Sequence, residues 1–222
     1  MSKNKISAMQ ERNDDGLTMT TLSLWFLPTA IIVSLAILFL DRPVGRFIQE
    51  KLYSNRIWGS LTGQLPDTLL IMVGLITVAC YAGYRLRKHR HIQDAATVLL
   101  HYVAYALPAS FVAKTVLKVA FGRIETRYWL QNPQQYGFHW LHGGEHFSGF
   151  PSGHMAVFAT LFAAIWRMYP RLKGVLCLLL LVLGLLLLAT NYHFLSDVVA
   201  GTYLGLVVEA MLFAVMGKEW LK

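Results

Sequence analysis

Charged residues are scarce in this sequence. Asp, Glu, Lys and Arg supply 14% of the 222 residues, whereas an ordinary soluble domain carries about 25%. This scarcity excludes an ordinary soluble globular domain, and the mean hydropathy of +0.47 points the same way. Several apolar stretches approach the roughly 20 residues that a helix needs to cross a lipid bilayer. The composition therefore predicts a membrane protein.

Cysteine and acidic residues are few as well. The two cysteines, Cys80 and Cys177, both lie inside apolar stretches, which excludes a disulfide framework. The chain has 12 acidic and 20 basic residues, so its formal net charge is +8. A chain of this charge could bind nucleic acid, but the basic residues fall in short clusters between apolar stretches, which is typical of membrane topology. We therefore expect no nucleic-acid partner.

Six apolar stretches follow one another along the chain. We interpret them as transmembrane helices over about 22–40, 68–84, 95–117, 151–168, 174–189 and 193–216. Residues 41–66 place apolar side chains at helical spacing among charged ones, which predicts a short amphipathic helix in the membrane interface. The sequence thus predicts an all-α, polytopic membrane protein with six transmembrane helices and a short interfacial helix, folded as a single domain over 1–222.

Basic residues give this topology an orientation. With six spans both termini lie on one side, and the termini together with the turns at 85–90 and 167–173 carry more than half of the 20 Lys and Arg residues. The positive-inside rule therefore places the termini, including a polar tail over 1–20, in the cytoplasm. The loop 118–150 is then extracytoplasmic.

Polar groups that suit phosphate chemistry lie at this outer face. The run Gly-Phe-Pro-Ser-Gly-His over 149–154 ends the polar loop and opens an apolar helix. Pro151 suits a helix start, where its missing N–H costs little. Backbone N–H groups of Ser152 and Gly153 would point out of the positive helix end, which is an anion site, and His154 can exchange a proton near neutral pH. This run predicts a bound phosphate beside a proton donor.

A second histidine is paired with a carboxylate. His193 and Asp197 are four residues apart, so on a helix they share one face. The carboxylate can accept the ring N–H and leave the other ring nitrogen as a nucleophile or base. Asp197 could instead cap the sixth span. We favour the pairing, because an ionisable residue within a span is by default a functional candidate.

These residues resemble the motifs of a known family. The type 2 phosphatidic acid phosphatase (PAP2) superfamily includes bacterial membrane lipid phosphatases. Its members carry a Lys followed by Arg-Pro, then Pro-Ser-Gly-His, then Ser-Arg leading to a His with an Asp four residues on. The second motif is complete here over 151–154, and the third keeps His193 and Asp197. By these motifs the chain resembles the family over about 118–201.

Two parts of the family pattern differ in this chain. In the first motif Lys118 and Arg123 fit, but Glu-Thr over 125–126 stands where Arg-Pro is expected. Arg127 could be that arginine, displaced by two residues, and the choice between Arg123 and Arg127 stays open. In the third motif Leu-Leu over 186–187 replaces Ser-Arg. One phosphate-binding arginine of the family is therefore missing.

The resemblance implies a mechanism and a set of site residues. His193 would attack phosphorus and carry a phospho-histidine intermediate, with Asp197 orienting its ring. His154 would protonate the leaving oxygen and then activate water. The phosphate-binding residues implied are Lys118, Arg123 or Arg127, Ser152 and Gly153. The resemblance also implies a membrane lipid phosphate or pyrophosphate as substrate, no metal, no cofactor, and a site at the outer face of the bacterial inner membrane.

Other interpretations of these features stay open. A lipid phosphotransferase could use the same His pair, and an inactive protein or a transporter could keep the fold. A transporter, however, should have polar groups near mid-membrane, whereas the ionisable groups here cluster at span ends. His139, His142 and His146 could form a metal site, but their loose spacing favours interfacial packing. Lys114, one turn before Lys118, is interpreted as extending to the membrane interface.

Overall fold

Helices make up nearly all of the described chain. The computed structural model describes the backbone of residues 18–52, 65–92 and 94–220, and the side chains of all of these except 65–70 and 217–220. Within those ranges there is no β-strand, and a lone bridge pairs Arg123 with Phe138. The all-α prediction is confirmed. The α-helices are α1 (Met19–Leu35), α2 (Asp41–Leu52), α3 (Leu65–His89), α4 (Ala95–Phe121), α5 (Thr126–Gln131), α6 (Gly153–Met168), α7 (Lys173–Ala189) and α8 (Leu195–Trp220).

Four helical segments in the described ranges are long and apolar enough to cross a membrane. They are Met19–Leu52, Ala95–Phe121, Pro170–Ala189 and Leu195–Met216, and α6 is a shorter apolar helix. Large apolar side chains cover their outer surfaces: Leu24, Val112 and Leu181 are each at least 60% exposed. So much exposed apolar surface indicates that lipid surrounds these helices. The chain is a multi-pass helical membrane protein.

The predicted first span and interfacial helix are continuous. A π-helical turn over Ala36–Leu40 joins α1 to α2, so the boundary predicted at residue 40 is wrong. Pro43 lacks the N–H that would bond to the carbonyl four residues earlier. The π turn widens the helix just before this position, with the Asp41 N–H bonding to the Ala36 carbonyl five residues back. The helix therefore continues past Pro43 to Leu52, and residues 53–64 of the predicted loop lie outside the described residues.

Two helix ends near the predicted site also differ from the prediction. α4 extends to Phe121, past the predicted end at 117, so Lys118 lies on its last turn. Gly122 ends the helix, because its φ is +53° and a Cβ there would lie 1.9 Å from the His139 carbonyl oxygen. α8 begins at Leu195, so His193 precedes the helix. The predicted tail lies outside the described residues up to residue 17.

Two glycines bring α6 against α8. A Cβ at Gly201 would lie 2.4 Å from the carbonyl oxygen of Ser152, and one at Gly205 would lie 2.3 Å from a carbonyl oxygen of α6. Only glycine permits so close an approach, as in the small-residue interfaces of membrane helices. The first turns of the two helices, which carry His154 and Asp197, are thereby held side by side.

A buried ion pair joins the same two helices at their other end. Nε and Nη2 of Arg167 each donate to a carboxylate oxygen of Glu209 at 2.7 Å, and the Tyr102 hydroxyl donates to the Glu209 carbonyl at 2.5 Å. Removing one partner of such a pair usually costs about 3–5 kcal/mol, because it leaves the other charge buried and uncompensated. This pair fixes α6 against α8 far from the histidines.

Candidate active site

Two histidines meet where α6 begins and α8 approaches it. The ring centroids of His154 and His193 are 5.9 Å apart, and the ring planes are inclined by 69°. His154 is the second residue of α6, and His193 lies in the turn before α8. The ring of Tyr192 closes one side of the pair, 5.5 Å from His154 and 5.6 Å from His193 between centroids. The two imidazoles that the sequence assigns to one site therefore lie side by side.

Asp197 stands beside the ring of His193. Its Oδ2 lies 3.6 Å from His193 Nδ1 and accepts the N–H of Phe194 at 2.9 Å. The carboxylate thus faces the ring and also reaches back from the first turn of α8 to the N–H just before the helix. Its role in orienting His193 stays a prediction. Because Nδ1 faces the carboxylate, Nε2 is the nitrogen directed away from it.

Burial keeps His193 neutral. Its side chain is only 4% exposed. This desolvation lowers the pKa of His193 below its ordinary value, with the charge of Lys118 acting in the same direction and Asp197 acting against it. A neutral imidazole has the lone pair that a nucleophile needs. A lowered pKa leaves the ring of His193 neutral around neutral pH.

The N-terminus of α6 faces a lysine of α4. Ser152 caps the helix through its Oγ, which accepts the Met155 N–H at 3.4 Å. Its own N–H donates to the Asp197 carbonyl at 3.0 Å, so the prediction that this N–H points out of the helix end is wrong. A Cβ at Gly153 would lie 2.7 Å from Cδ and 3.4 Å from Nζ of Lys114. The Lys114 side chain therefore crosses Gly153 and brings its ammonium group to the helix N-terminus.

Sequence reasoning missed this position of Lys114, which was interpreted as extending to the membrane interface. The signal that could have found it is the four-residue spacing to Lys118, which puts both on one helix face. Lys118 lies within electrostatic range of Glu125 and Asp197, and both lysines act electrostatically on His154. Two lysines one turn apart thus border the histidine pair.

Arg123 forms ion pairs with two carboxylates. Its fully buried guanidinium donates through Nη1 to Asp197 Oδ1 at 2.5 Å and through Nη2 to Asp41 Oδ2 at 2.6 Å. Nη1 also donates to Ser196 Oγ at 2.5 Å, and Nη2 donates to the Tyr136 hydroxyl at 3.2 Å. Arg123 therefore bonds to the oxygen of Asp197 that does not face His193, and Asp41, which the sequence analysis did not single out, is part of this cluster.

Arg127 reaches the turn that carries His193. It donates through Nε and Nη2 to the carbonyl oxygen of Thr190 at 3.2 and 2.9 Å. Its guanidinium carbon lies 4.8 Å from the centroid of the Tyr192 ring. Since that ring contacts both histidines, Arg127 approaches the pair from the Tyr192 side.

Comparison with known proteins identifies the family to which this site belongs. A family model of the PAP2 superfamily matches residues 97–221, which is more than half of the chain and includes both histidines. The chain belongs to the PAP2 superfamily. The resemblance predicted from the motifs over 151–154 and 193–197 is therefore confirmed.

Two curated proteins are similar to this PAP2 protein over most of their length. A lipid A 1-phosphatase of Rhizobium etli is 29% identical over 178 residues, which cover 78% of this chain and 75% of that relative. A lipid A 1-phosphatase of Rhizobium johnstonii is 27% identical over 192 residues, which cover 83% of this chain and 78% of the relative. No solved structure gives a significant match.

The two PAP2 motif positions that differ in this chain carry side chains that cannot replace an arginine. Glu125 precedes α5 and accepts a hydrogen bond from Ser148 Oγ at 2.6 Å. Leu187 is buried on α7 in an apolar cluster with Met155 and Val198. Because neither can donate to a phosphate oxygen, a phosphoryl group here would depend on cations from other positions. Besides Arg123, the described cationic side chains near the histidine pair include Lys114, Lys118 and Arg127.

The three loop histidines of this PAP2 protein pack against aromatic rings. His146 stacks on Tyr128 with centroids 4.1 Å apart, and His139 and His142 meet the ring of Phe147 edge-on at 4.9 and 4.5 Å. Among the residues that the structure describes, no group of three His, Cys, Asp or Glu side chains is placed to hold a metal ion. These contacts favour the packing interpretation of the loop histidines.

Proposed function

We propose that the protein is an integral membrane lipid phosphatase that hydrolyses a phosphate monoester or pyrophosphate of a membrane lipid through a phospho-histidine intermediate. The observation that carries the proposal is the pair of His154 and His193, 5.9 Å apart between centroids, with Asp197 beside His193. PAP2 membership and the similarity to two relatives named lipid A 1-phosphatase support the same reaction class.

In the first step His193 is the nucleophile. Nε2 attacks phosphorus, and the bond from phosphorus to the lipid oxygen breaks. The Nδ1–H remains directed at Asp197, which balances the positive charge that the ring gains on phosphorylation. A protonated His154 donates its proton to the leaving oxygen. The lipid therefore departs as an alcohol from a monoester, or as a lipid monophosphate from a pyrophosphate.

In the second step water completes the hydrolysis. His154, now neutral, accepts a proton from water as the water oxygen bonds to phosphorus and the bond to His193 breaks. Inorganic phosphate leaves, and both histidines return to their starting protonation states. Hydrolysis of phosphate monoesters needs among the largest known rate accelerations, up to about 10²¹-fold. Covalent catalysis combined with a cationic phosphate site is suited to that demand.

The proposed phosphate site combines the α6 N-terminus with three cations. The Ser152 hydroxyl and the Gly153 N–H bind non-bridging oxygens at the positive end of the helix, since the Ser152 N–H bonds to the Asp197 carbonyl. Lys118 remains assigned to this role, and Lys114 joins it because its stem crosses Gly153. We assign the remaining role to Arg127 in preference to Arg123, because Arg123 bonds to two carboxylates whereas Arg127 lies on the ring that contacts both histidines.

We further propose that six helices span the bacterial inner membrane, with α3 and α6 as spans beside the four longer segments. Both termini then lie in the cytoplasm, α2 extends the first span into the outer interface, and the histidine pair faces the periplasm. The basic clusters at 85–90 and 167–173 support this orientation. The mixed loop over 118–150 would lie outside, where a lipid headgroup can reach the site.

Phosphate release from a panel of lipids tests the function. Lipid A 1-phosphate, an isoprenoid pyrophosphate, phosphatidylglycerol phosphate and phosphatidic acid would each be incubated with the purified protein in detergent, with and without a metal chelator. We expect release of inorganic phosphate from at least one lipid, unchanged by the chelator. No release from any of them would reject the phosphatase, and loss on chelation would reject the metal-free mechanism.

A lipid phosphotransferase is the second candidate. The observation that favours it is Leu187 at the position of the family's third-motif arginine, because a weaker phosphate site could release the phosphoryl group to a lipid acceptor instead of to water. The same assay with labelled phosphate separates the two reactions. Label transferred to a lipid hydroxyl with no free phosphate would favour the transferase.

Substitution of Lys114 tests the revised phosphate site. We expect Lys114→Met to lower kcat/KM by about 10- to 100-fold, because a hydrogen bond to a charged group contributes about 1.5–3 kcal/mol. Lys173→Met is the matched control, since its ammonium lies 4.5 Å from the Trp166 ring at the start of α7, and it should leave kcat/KM unchanged. Equal activity of the native protein and the Lys114 variant would show that Lys114 does not bind the phosphate and would favour the interpretation that it extends to the membrane interface.

A further inference from the structure

Asp41 is a carboxylate buried where no water can stabilise it. It lies at the first position of α2, and its side chain is fully buried. Its Oδ2 accepts hydrogen bonds from Arg123 Nη2 at 2.6 Å and from Ser196 Oγ at 2.5 Å, and its Oδ1 accepts the Ser196 N–H at 3.0 Å. A buried charge of this kind is retained only when it is paired and hydrogen-bonded. Asp41 therefore ties the first helix to the beginning of α8.

Arg123 shares one positive charge between two carboxylates. Asp197 accepts a hydrogen bond from Nη1 and Asp41 accepts one from Nη2, and all three side chains are fully buried. Two negative charges and one positive charge leave the cluster with a net charge of about −1, if all three are ionised. The negative charge on Asp197 is the one that acts on His193, because its Oδ2 faces His193 Nδ1 at 3.6 Å while its Oδ1 bonds to Arg123.

The cluster is held rigidly from several elements. The Tyr136 hydroxyl, which accepts a hydrogen bond from Arg123, donates to the carbonyl of Ile37 at 2.8 Å within the π turn. The ring centroids of Phe138 and Phe194 lie 5.1 and 4.7 Å from the guanidinium carbon of Arg123. Because these groups are buried and in direct hydrogen-bond contact, a change in charge at one of them acts strongly on the others.

We propose that Asp41 is a positioning residue that keeps the negative charge of Asp197 available to His193. It does so by binding Nη2 of Arg123, so that the positive charge of Arg123 is shared between two carboxylates. Without Asp41, the full charge of Arg123 would oppose Asp197, and the carboxylate would stabilise the phosphorylated imidazolium less well. This inference rests on the proposed phospho-histidine mechanism. It assigns Asp41 no contact with the substrate, so the binding of substrate should depend little on it.

The first test is Asp41→Asn, which removes the charge with little change in shape. We expect kcat to fall by about 10- to 100-fold while KM stays within about threefold. Glu209→Gln is the matched control, because Glu209 is a buried carboxylate paired with an arginine and lies twelve residues, or about 18 Å, beyond Asp197 on α8. Glu209→Gln should lower the unfolding temperature in detergent but leave kcat unchanged.

The decisive test is the double variant Asp41→Asn with Arg123→Gln. It restores the net charge of the cluster to about −1, so its kcat should lie within about tenfold of native and above that of Asp41→Asn alone. In Asp41→Asn alone Arg123 still bonds to Asp197, so the comparison of the two variants isolates the effect of the Arg123 charge on that carboxylate, and the unfolding temperature of each variant in detergent shows whether it is folded. A native kcat in Asp41→Asn, or a kcat in the folded double variant as low as that of His193→Ala, would overturn the inference. Activity that survives in His193→Ala would instead reject the proposed mechanism.

Discussion

Replacement of His193 by alanine is expected to abolish phosphate release, by at least about 10⁴-fold and down to the uncatalysed background. In the proposed mechanism His193 supplies the atom that bonds to phosphorus, and loss of a covalent nucleophile removes a whole step rather than one stabilising contact. Its burial and its lowered pKa prepare it for this role, because both keep the ring neutral. The measurement is inorganic phosphate released from the best lipid substrate, together with acid-labile phosphate bound to the protein after rapid quenching.

His142→Ala is the matched control for this substitution. His142 is exposed and its ring meets the edge of the Phe147 ring, so the same chemical change there should leave activity near native. The native protein should carry label on quenching, and His193→Ala should carry none. Phosphate release at the native rate from His193→Ala would remove His193 from the nucleophile position and with it the phospho-histidine mechanism.

The sequence predicted the histidine pair because its evidence is local. Pro-Ser-Gly-His over 151–154 combines a helix start, an N-cap and a proton donor in consecutive residues, and the four-residue spacing from His193 to Asp197 needs only one turn of chain. The apolar stretches that mark membrane helices are also visible in the local sequence. The majority of the helix ends were therefore predicted to within a few residues. The meeting of His154 with His193, on separate helical segments, was expected from the predicted topology and from the resemblance to the PAP2 motifs.

The Asp41 cluster could not be predicted in the same way. Arg123 is 82 residues from Asp41 along the chain, and Ser196 is 155 residues from it. Neither hydropathy nor spacing relates residues so far apart, and Asp41 followed an apolar stretch, where a charged residue is expected at a span end. The choice between Arg123 and Arg127 stayed open for the same reason, because it depends on which arginine the buried carboxylates of other helices bind.

The continuous first helix shows how one prediction depends on another. The first span was predicted to end at residue 40, with a separate amphipathic helix in the interface within 41–66, because the charged residues that follow interrupt the apolar stretch. In the structure the π turn accommodates Pro43 and lets the helix carry Asp41 into the bundle at the level of Ser196. A helix that ended at Leu40 would have left Asp41 in a loop. The first helix therefore contributes a buried carboxylate to the cluster beside the histidine pair, although none of its residues belongs to the family motifs.

Replacement of His154 by glutamine is expected to affect lipid substrates and activated substrates differently. A lipid alkoxide is a poor leaving group and needs a proton, so loss of the general acid should slow phosphate release from the lipid by about 10²- to 10⁴-fold. The nitrophenolate of p-nitrophenyl phosphate leaves without a proton, so phosphorylation of His193 by that substrate should be slowed much less.

The second step still needs His154 as the base that activates water, whichever substrate supplied the phosphoryl group. The glutamine variant should therefore release nitrophenol in a burst and then retain phosphate on His193, measured as acid-labile label per mole of protein. His193→Ala should show neither burst nor label, which assigns the trapped group to His193. Equal losses with both substrates and no trapped label would show that His154 does not have the two roles, and that its ring 5.9 Å from His193 between centroids serves only to shape the site. The proximity of the two rings therefore supports the proposed mechanism only if His154 donates one proton to the leaving group and accepts one proton from water in each turnover.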